Sequence, residues 1–428
     1  MFRIGPLVLT CLSLAYPAIG RSIYLDERWA NGCDVAHTDG EDDTPNIYQA
    51  LQDCPSGPIV FSANTTYNIF SPVELNHSDY SVSILGNLSF PTNMTAVQAA
   101  VNASTNGGFW IQLNGENVNV TGSEDPWSGW IVGHGQQWWD AYNQVARPRT
   151  FSFAVNNGYL YNLKFYKPIA WVVSLATASN VYAGNILIDA RSNGSFPFNT
   201  DGIDGSGSNL LVEDAIIYNG DDAFTVGQNS VGTRNVTFRR AYVSYSSHGL
   251  SIGSLGKDPS QPSNVSDILF EDVFLENTLY GARFKSWVGG VGLAKNVTYR
   301  NIGVRNVSFP LYLTQSYVDQ ESPGAARVDN ASVIMQDFTY DNFYGDINTF
   351  HPGDASCVSD PCWYYEEGAD GTQAAILRCN PGTCQNFTLS NIHLRTQSGV
   401  PATLLCNNPP VDSPDVGFIC QNGTFIAT

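Results

Sequence analysis

Short alternations of apolar and polar residues recur along the chain between residues 157 and 394. Each unit begins with a polar residue, usually Asn, and continues with apolar residues at every second position. A second polar residue, usually Asn or Asp, follows five places on. Such units start at Asn157, Asn180, Asn209, Asn235, Asp267, Asn296, Ser332 and Asn386. Alternation over four to eight residues predicts strands, because successive side chains of a strand point to opposite faces.

The spacing of the units predicts how these strands are arranged. Consecutive starts lie 23 to 54 residues apart, and Gly, Asn and Ser are frequent in the connections. A repeat of this kind is typical of a solenoid whose turns stack. We therefore predict an all-β fold, a right-handed parallel β-helix, with Asn and Asp at corners that need a left-handed backbone. A β-sandwich is the alternative, but its hairpins need frequent Asn-Gly or Asp-Gly turns, and these do not dominate.

The N-terminal part contains one helical pattern, in the segment from Asp42 to Cys54. An Asp-Thr pair and a Pro precede Ile47, Ala50 and Leu51, which fall on one face of a helix. This predicts a short capping helix that covers the open end of the solenoid. No break in composition divides the remainder, so residues 21–428 are predicted to form a single catalytic domain.

The first twenty residues have the pattern of a secretory signal peptide. Arg3 is followed by an apolar run from Ile4 to Tyr16 and by small residues up to Gly20. No later stretch approaches the roughly twenty apolar residues that span a membrane. We therefore predict cleavage of residues 1–20, secretion to the extracellular space, and no membrane partner.

The cysteines fit an exported chain. Of nine, Cys11 lies in the signal peptide, which leaves Cys33, Cys54, Cys357, Cys362, Cys379, Cys384, Cys406 and Cys420. An even number predicts four disulfides, and closeness in sequence favours the pairs 33–54, 357–362, 379–384 and 406–420, although connectivity does not follow from spacing alone. Zinc binding is the alternative, but the paired Cys-x-x-Cys arrangement of zinc sites is missing.

The sequence also predicts N-glycosylation. Acceptor motifs occur at Asn64, Asn76, Asn87, Asn93, Asn102, Asn119, Asn193, Asn235, Asn264, Asn296, Asn306, Asn330, Asn386 and Asn422.

The net charge of the chain limits which molecules it can bind. The formal net charge is −19, which argues against nucleic acid as a partner because nucleic acid needs a basic face. It also means that a polyanionic substrate would need a local cluster of cations.

Four motifs with charged residues fall on consecutive repeat units. They contain Asp201, then Asp221 with Asp222, then His248, and finally Arg283 with Lys285. Because stacked strands lie about 4.8 Å apart, residues at related offsets form a column on one face. Two adjacent aspartates cannot both point outward from a regular strand, which predicts a bulge or turn at Gly220-Asp221. Crowded carboxylates raise the pKa of one of them, so that it stays protonated.

These motifs carry a family resemblance. Asn199-Thr200-Asp201, Gly220-Asp221-Asp222, Ser247-His248-Gly249 and Arg283-Phe284-Lys285 resemble the four signatures of family 28 glycoside hydrolases, the polygalacturonase family. The segments that begin at Gly133 and Arg147 are similar to upstream segments of that family. The likeness extends from about Asp42 to Tyr317, and the family fold is also a right-handed parallel β-helix.

The resemblance implies inverting hydrolysis of α-1,4-galacturonosyl bonds in pectic polysaccharide, without a cofactor or metal. Inversion uses two carboxyl groups about 6.5–9.5 Å apart. By resemblance, Asp221 is the general acid, Asp201 and Asp222 hold and deprotonate the water, and His248 tunes the proton of the acid.

The resemblance also implies how substrate is bound. Arg283 and Lys285 meet the carboxylate of the sugar, and Asn199, Gly249 and Tyr317 complete the binding set. A monomer is expected.

The segment from Ser247 to Gly256 resembles the exo-acting branch of the family. The stretch from Asn93 to Trp110 is expected to close one end of the cleft. We therefore predict exo-hydrolysis from the non-reducing end of polygalacturonate. Within the family, an exo-acting rhamnogalacturonan galacturonohydrolase and an endo-polygalacturonase are alternatives. From other classes, the alternatives are a pectate lyase, which needs calcium, and a non-catalytic pectin-binding β-helix.

Overall fold

The structure, a computed structural model, describes residues 33–229, 232–317, 331–354, 356–357, 360, 362–407, 411–412, 418–421 and 424–427. The predicted signal peptide, residues 1–20, lies outside this set. No helix of the described residues is long and apolar enough to cross a membrane.

Strands dominate the described chain. In chain order the elements are α1 (Thr44–Asp53), β1 (Pro58–Phe61), β2 (Thr66–Asn68), β3 (Val73–Asn76), β4 (Ser81–Ile84), β5 (Asn87–Ser89), α2 (Met94–Ala103), β6 (Phe109–Gly122), β7 (Trp130–Val132), α3 (Gln136–Asp140), β8 (Arg149–Tyr161), β9 (Lys164–Tyr166), β10 (Val173–Ser174), β11 (Ser179–Gly184), β12 (Leu187–Asp189), β13 (Ile203–Asp204), β14 (Ser208–Glu213), β15 (Ile216–Asn219), β16 (Phe224–Val226), β17 (Thr233–Tyr245), β18 (Leu250–Leu255), β19 (Ser263–Glu276), β20 (Tyr280–Trp287), β21 (Gly292–Val307), β22 (Phe309–Tyr317), β23 (Ile334–Ile347), β24 (Gln373–Arg378), β25 (Cys384–Thr396), β26 (Thr403–Asn407), β27 (Val411–Asp412), β28 (Phe418–Gln421) and β29 (Thr424–Ala427).

The strands stack in three parallel columns, as a parallel β-helix requires. The first column runs β1–β4–β6–β8–β11–β14–β17–β19–β21–β23–β25–β27. The second column runs β2–β5–β7–β9–β12–β15–β17 and continues through the same long strands. The third, which carries the site described below, runs β3–β6–β8–β10–β13–β16–β18–β20–β22–β24–β26. Long strands bend at a corner and so belong to two columns. The fold is the predicted right-handed parallel β-helix.

The corner residues have the predicted left-handed backbone. Both polar positions of the repeat take φ between 51° and 60° on successive turns, at Asn157, Asn162, Asn180, Asn185, Asn209, Asp214, Asn235, Arg240, Asp267, Asp272, Asn296, Asn301, Asp337, Asn342, Asn386 and Asn391. Asn tolerates this conformation better than most residues. The side chains also bond from turn to turn: the Asn235 amide donates to Asn209 at 3.0 Å, and the Asn209 amide donates to Asn180 at 2.9 Å.

One repeat start predicted from the sequence is wrong. Lys295 pairs with Gln336 and Val297 with Phe338, so the partner of Asn296 on the next turn is Asp337 and not Ser332. The error is five residues, which is the distance between the two polar positions of each unit. In the predicted unit, which starts at Ser332, Asp337 is the second polar position, whereas in the structure it is the first polar position of its unit.

The interior is one continuous apolar core along the solenoid axis. Aromatic rings stack within it on successive turns, with ring centroids 4.6 Å apart for Phe270 and Tyr299 and 5.3 Å apart for Tyr299 and Tyr340. Helix α1 covers the N-terminal end, with Ile47 and Ala50 buried, which confirms the predicted cap. The Cys33–Cys54 disulfide links the residue after α1 to the chain that precedes it.

Two further predicted disulfides, Cys357–Cys362 and Cys379–Cys384, are present. For the fourth predicted pair, Cys406–Cys420, the side chain of Cys420 lies outside the described residues. The sequons at Asn330 and Asn422 also lie outside them. Ten sequon asparagines are exposed, namely Asn64, Asn76, Asn93, Asn102, Asn119, Asn193, Asn235, Asn264, Asn296 and Asn386, whereas Asn87 and Asn306 are half-buried.

Candidate active site

The predicted site residues come together on the outer face of the third column. Register pairs Ile203 with Phe224, Phe224 with Leu250, and Leu250 with Ala282. The residues two positions before these four are Asp201, Asp222, His248 and Tyr280. The same register therefore places them in one row across successive turns. Arg283 pairs with Ser251, which lies three residues after His248. For this reason Arg283 lies 16 residues after the start of its unit at Asp267, whereas His248 lies 13 residues after the start of its unit at Asn235.

The two adjacent aspartates occupy the predicted turn, between the end of β15 at Asn219 and the start of β16 at Phe224. The buried amide of Asn219 donates to the carbonyl oxygens of Thr200, Asp221 and Asp222 at 2.8–2.9 Å. One amide group therefore fixes the backbone of both aspartates and of the neighbouring turn. The sequence analysis did not assign a role to Asn219, although it precedes the Gly-Asp-Asp motif directly.

Asp222 is buried and held by cations. Its Oδ2 accepts a bond from Lys285 Nζ at 2.6 Å, and its Oδ1 lies 3.4 Å from Arg283 Nη1 and accepts a bond from the Ser251 hydroxyl. The Arg283 guanidinium also lies over the Tyr280 ring at 4.3 Å. Burial opposes the charge on Lys285, but Asp222, together with Tyr317 and Asp221, outweighs burial and raises the pKa of the Lys285 ammonium. The two predicted sugar-binding cations thus also contact a predicted catalytic carboxylate.

Asp221 faces His248. Its Oδ1 lies 3.1 Å from His248 Nδ1, and its Oδ2 accepts a bond from the Asn199 amide at 3.3 Å. Asn199 in turn accepts a bond from Arg147 Nη2 at 2.6 Å. The second imidazole nitrogen of His248, Nε2, lies 2.9 Å from Oδ2 of Asp354.

The environment shifts the pKa values of Asp201 and Asp221 in opposite directions. Burial, followed by the charges of Asp221 and Asp222, raises the pKa of Asp201 well above its usual range. Burial also raises the pKa of Asp221, but the His248 imidazolium, together with Lys285 and the Asp222 backbone amide, outweighs it and holds the pKa of Asp221 below its usual range. Burial lowers the pKa of His248, and the two carboxylates that it contacts overcome this and raise its pKa to about 9. The structure therefore favours protons on Asp201 and His248, with Asp221 ionised.

Two cavities open on either side of Asp221. The larger, about 540 Å³, is lined by His248, Arg283, Trp363 and Arg147, among others. The smaller, about 410 Å³, is lined by Asp201, Asp222, Phe109 and Arg149, among others. Both are lined by Trp171, Asn199, Asp221, Lys285 and Tyr317. The two cavities are therefore halves of one cleft, and Asp221 stands at their junction.

Asn199 and Tyr317 both line this cleft, as expected of substrate-binding residues. Gly249 is buried behind it, where its carbonyl accepts a bond from the Ala223 amide at 2.8 Å. Its φ is 71°, and a Cβ there would lie 2.3 Å from the carbonyl oxygens of Tyr280 and Gly281. In this structure Gly249 therefore allows two turns to pack closely beneath His248.

From the stretch between Asn93 and Trp110, only Phe109 reaches the cleft. Helix α2 forms most of the stretch, and its Gln98 bonds to Asn143 and Val145. The Arg149 guanidinium stacks over the Phe109 ring at 5.4 Å and over the Trp171 ring at 5.5 Å. This stack of two rings and one cation walls the smaller cavity.

A divalent cation does not fit the carboxylates well. One ligand atom each of Asp221, Asp222 and His248 lies within 4.8 Å of the others. Both nitrogens of His248 already contact carboxylates, and both oxygens of Asp222 contact cations. A metal ion would have to displace Lys285 from Asp222, which does not favour binding.

The C-terminal part contributes residues that the sequence analysis missed. Asp354 and Trp363 reach the site from the loop around the Cys357–Cys362 disulfide, and Glu366 lies further along the cleft wall. The paired cysteines were the signal in the sequence, because a small disulfide loop beside a Trp-Tyr-Tyr run is suited to a fixed position.

The fold and the site together define a glycoside hydrolase, and comparison with known proteins agrees. The family model of the glycosyl hydrolases family 28 matches residues 64–362. The chain belongs to this family.

The relatives are similar over nearly their whole length. A probable exopolygalacturonase C of Aspergillus flavus is 42% identical over 430 residues, which cover 98% of this chain and 97% of the relative. A probable exopolygalacturonase C of Aspergillus niger is 44% identical over 396 residues, which cover 90% and 89%. Among solved structures, the endo-xylogalacturonan hydrolase of Aspergillus tubingensis matches with a TM-score of 0.73 at 24% identity, over 91% of this chain and 99% of that one. This last likeness concerns the fold.

Proposed function

We propose that this protein is an exo-polygalacturonase, which releases galacturonic acid from the non-reducing end of polygalacturonate with inversion. The observation that carries the proposal is the position of Asp221 at the junction of two cavities, with Asp201 and Asp222 on one side and His248 on the other. Inverting hydrolysis places an acid and a water-activating carboxylate on opposite sides of the scissile bond, typically about 6.5–9.5 Å apart. One oxygen of Asp221 lies within 4.8 Å of one oxygen of Asp222, which is closer than that range.

The proposed reaction balances as follows. The proton shared between His248 and Asp221 passes through Asp221 to the glycosidic oxygen, while the bond from that oxygen to the anomeric carbon breaks. A water molecule held by Asp201 and Asp222 adds its oxygen to the anomeric carbon from the opposite face. The raised pKa of Asp201 favours a proton on that carboxyl. Asp222, which Lys285 and Arg283 contact, is therefore the member of the pair that takes the proton of this water, and it must lose that proton before the next turnover.

This assignment orients the substrate. The sugar under attack has its anomeric carbon beside the activated water, so it occupies the smaller cavity, which Asp201 and Asp222 line. The leaving part of the polymer lies beside His248 and Arg283 in the larger cavity. The non-reducing end of the chain therefore points into the smaller cavity.

The cations of the cleft suit a polyuronate. The formal net charge of −19 repels a polyanion at a distance. Within the cleft, Arg283, Lys285 and Arg147 line the larger cavity, and Arg149 and Lys285 line the smaller one. Charge-assisted bonds to the sugar carboxylates explain how an acidic protein holds an acidic substrate.

Exo action is supported by two observations. The curated relatives that match nearly the full chain carry the name exopolygalacturonase. The stack of Phe109, Arg149 and Trp171 walls the smaller cavity beyond Asp201, which suits a site that accepts one terminal sugar.

We also propose that the mature enzyme is a secreted, glycosylated monomer. The signal-peptide pattern, the disulfides and the exposed sequons support secretion and glycosylation.

The product profile over time tests the proposed function. Polygalacturonate and rhamnogalacturonan oligomers are incubated separately at about pH 4–5 with a chelator present. Monomeric galacturonate from the outset on polygalacturonate, with viscosity falling slowly, is the expected result. Early mixed oligomers indicate an endo-acting enzyme. Release of galacturonate from rhamnogalacturonan alone means that rhamnogalacturonan, and not polygalacturonate, is the substrate. An unsaturated product that the chelator abolishes indicates a lyase, and no product from either polymer indicates a binding protein.

A further inference from the structure

Three side chains form a line that ends outside the four family-like motifs. Nδ1 of His248 lies 3.1 Å from Oδ1 of Asp221, and Nε2 lies 2.9 Å from Oδ2 of Asp354. The side chains of His248 and Asp354 are 7% and 1% exposed, so water does not compete with the contact between them. Asp354 comes from a loop 106 residues after His248.

The loop holds Asp354 in one orientation. Its Oδ1 accepts bonds from the Ser356 backbone amide at 2.9 Å and from the Ser356 hydroxyl at 2.5 Å. The Trp363 indole donates to the same hydroxyl at 2.8 Å, and its ring lies 5.1 Å from the His248 ring. Oδ1 of Asp354 therefore bonds within its own loop, and Oδ2 contacts His248.

The other groups that face His248 do not bond to its nitrogens in the described structure. The Tyr280 ring approaches the His248 ring edge-on at 6.0 Å, and burial raises the pKa of its hydroxyl, which keeps it neutral. Arg283 lies behind the Tyr280 ring and pairs with Asp222. Lys285 also pairs with Asp222. The two carboxylates are the groups that decide where the imidazole protons lie.

The two carboxylates determine how many protons the His248 ring carries and on which nitrogens they lie. An ionised carboxylate only accepts hydrogen bonds, so Asp354 requires a proton on Nε2 of His248. A second proton then lies between Nδ1 and Asp221, on one atom or the other. If Nε2 lacked this partner, a neutral imidazole could carry its proton on Nδ1 alone and Asp221 would have no proton to give.

We propose that Asp354 is a positioning residue for proton delivery, which fixes Nε2–H of His248 so that the second imidazole proton is shared with Asp221. The inference rests on the proposed function, in which Asp221 is the general acid. In the step, the Nδ1–H bond breaks and an O–H bond forms on Asp221. That proton then moves to the leaving oxygen, and His248 remains neutral with its Nε2–H bond to Asp354 until solvent returns a proton.

The variant Asp354→Asn keeps the size of the side chain and removes its charge. His248 then loses one of two carboxylates and titrates at lower pH by about one to two units. The alkaline limb of the kcat profile moves down by the same amount, while KM is unchanged. Asp354→Glu restores the charge and is expected to recover part of the shift.

The chain offers a matched control in Asp370. Its Oδ1 accepts bonds from the Thr372 backbone amide at 3.0 Å and from the Thr372 hydroxyl at 2.6 Å, which is the turn that Asp354 makes with Ser356. Asp370 does not line the cleft. Asp370→Asn removes the same local charge without touching His248, so it reports the cost of the turn alone.

The test is a 15N NMR titration of the histidine ring nitrogens in the free full-length enzyme, with His248 assigned through the signals lost in His248→Gln. A lower titration point in Asp354→Asn, and an unchanged one in Asp370→Asn, support the proposal. Equal titration in wild type and Asp354→Asn overturns it, as does a kcat profile that falls without moving along the pH axis. A wild-type enzyme that releases no galacturonate contradicts the proposed function instead, and the NMR result separates the two failures because it uses no substrate.

Discussion

Nζ of Lys285 lies 2.6 Å from Oδ2 of Asp222, and both side chains are buried. The same ammonium lines both halves of the cleft. We therefore expect Lys285 to have two tasks, one toward a carboxylate of the protein and one toward the substrate. Its removal is expected to affect stability and substrate binding together.

Lys285→Ala leaves Asp222 with a buried charge that Arg283 compensates only in part. Breaking a buried pair in this way costs about 3–5 kcal/mol of unfolding free energy. Urea denaturation measures the loss. The control is Arg305→Ala, which removes the ion pair between an exposed Arg305 and Glu276. Exposed pairs contribute about 0–1 kcal/mol, so equal losses in the two variants would contradict a structural role for the Lys285–Asp222 pair.

Asp221→Asn is expected to lower kcat by about 10²–10⁴-fold with little change in KM, because an amide cannot protonate the leaving oxygen. The measurement is steady-state release of galacturonate from short oligogalacturonates. Asp258→Asn is the control, since Asp258 is exposed and its carboxylate accepts bonds from Ser260. Retention of more than a tenth of wild-type kcat by Asp221→Asn would move the acid role to another residue.

The pKa of His248 predicts how stability depends on pH. It is about 9 in the folded chain and about 6.5 in an unfolded one, so the folded state binds the proton more tightly. The resulting stabilisation is fully present below pH 6.5 and is lost as pH rises toward 9. It amounts to something on the order of 3 kcal/mol.

Melting temperatures of wild type and His248→Gln between pH 5 and 9.5 check this dependence. The raised pKa of Asp201 acts in the same direction in both proteins, so the difference between them reports His248 together with Asp221, whose pKa His248 lowers. The wild-type melting temperature should fall more steeply above pH 6.5 than that of the variant. Parallel curves would mean that His248 is not held as an imidazolium.

The corner ladder makes a prediction about the fold. Asn209 has φ 54° and bonds to Asn180 and Asn235 on the turns before and after it. Asn209→Ala removes both side-chain hydrogen bonds and leaves an alanine in the left-handed region, at a cost of about 1–2 kcal/mol from the backbone alone. Asn209→Gly removes the same bonds without the backbone strain and should cost less. If urea denaturation shows Gly to be the more damaging substitution, the backbone conformation is not the reason for Asn at the corners.

The sequence predicted those parts of the site that repeat with the solenoid. Asp201, Asp222 and His248 fall at one position of successive turns, so a periodic pattern is sufficient to bring them together. The same reasoning placed Arg283 only approximately, because a long side chain can reach Asp222 from three residues further along its strand.

Asp354 was beyond such reasoning. It lies in a loop outside the strand repeat, and its distance from His248 depends on the path of that loop rather than on a register. The proton distribution also needed the structure. The sequence indicated that crowding would raise the pKa of one carboxyl, but burial and the contact between His248 and Asp221 decide that it is Asp201.

In the proposed mechanism, one terminal sugar enters the smaller cavity and is released with inversion. Time-resolved 1H NMR of tetragalacturonate whose reducing end has been converted to the alditol tests this directly. We expect the β-anomer of free galacturonate to appear first, while the alditol remains on the trimer and then on the dimer. Initial α-galacturonate, or early release of the alditol on a short fragment, would contradict it.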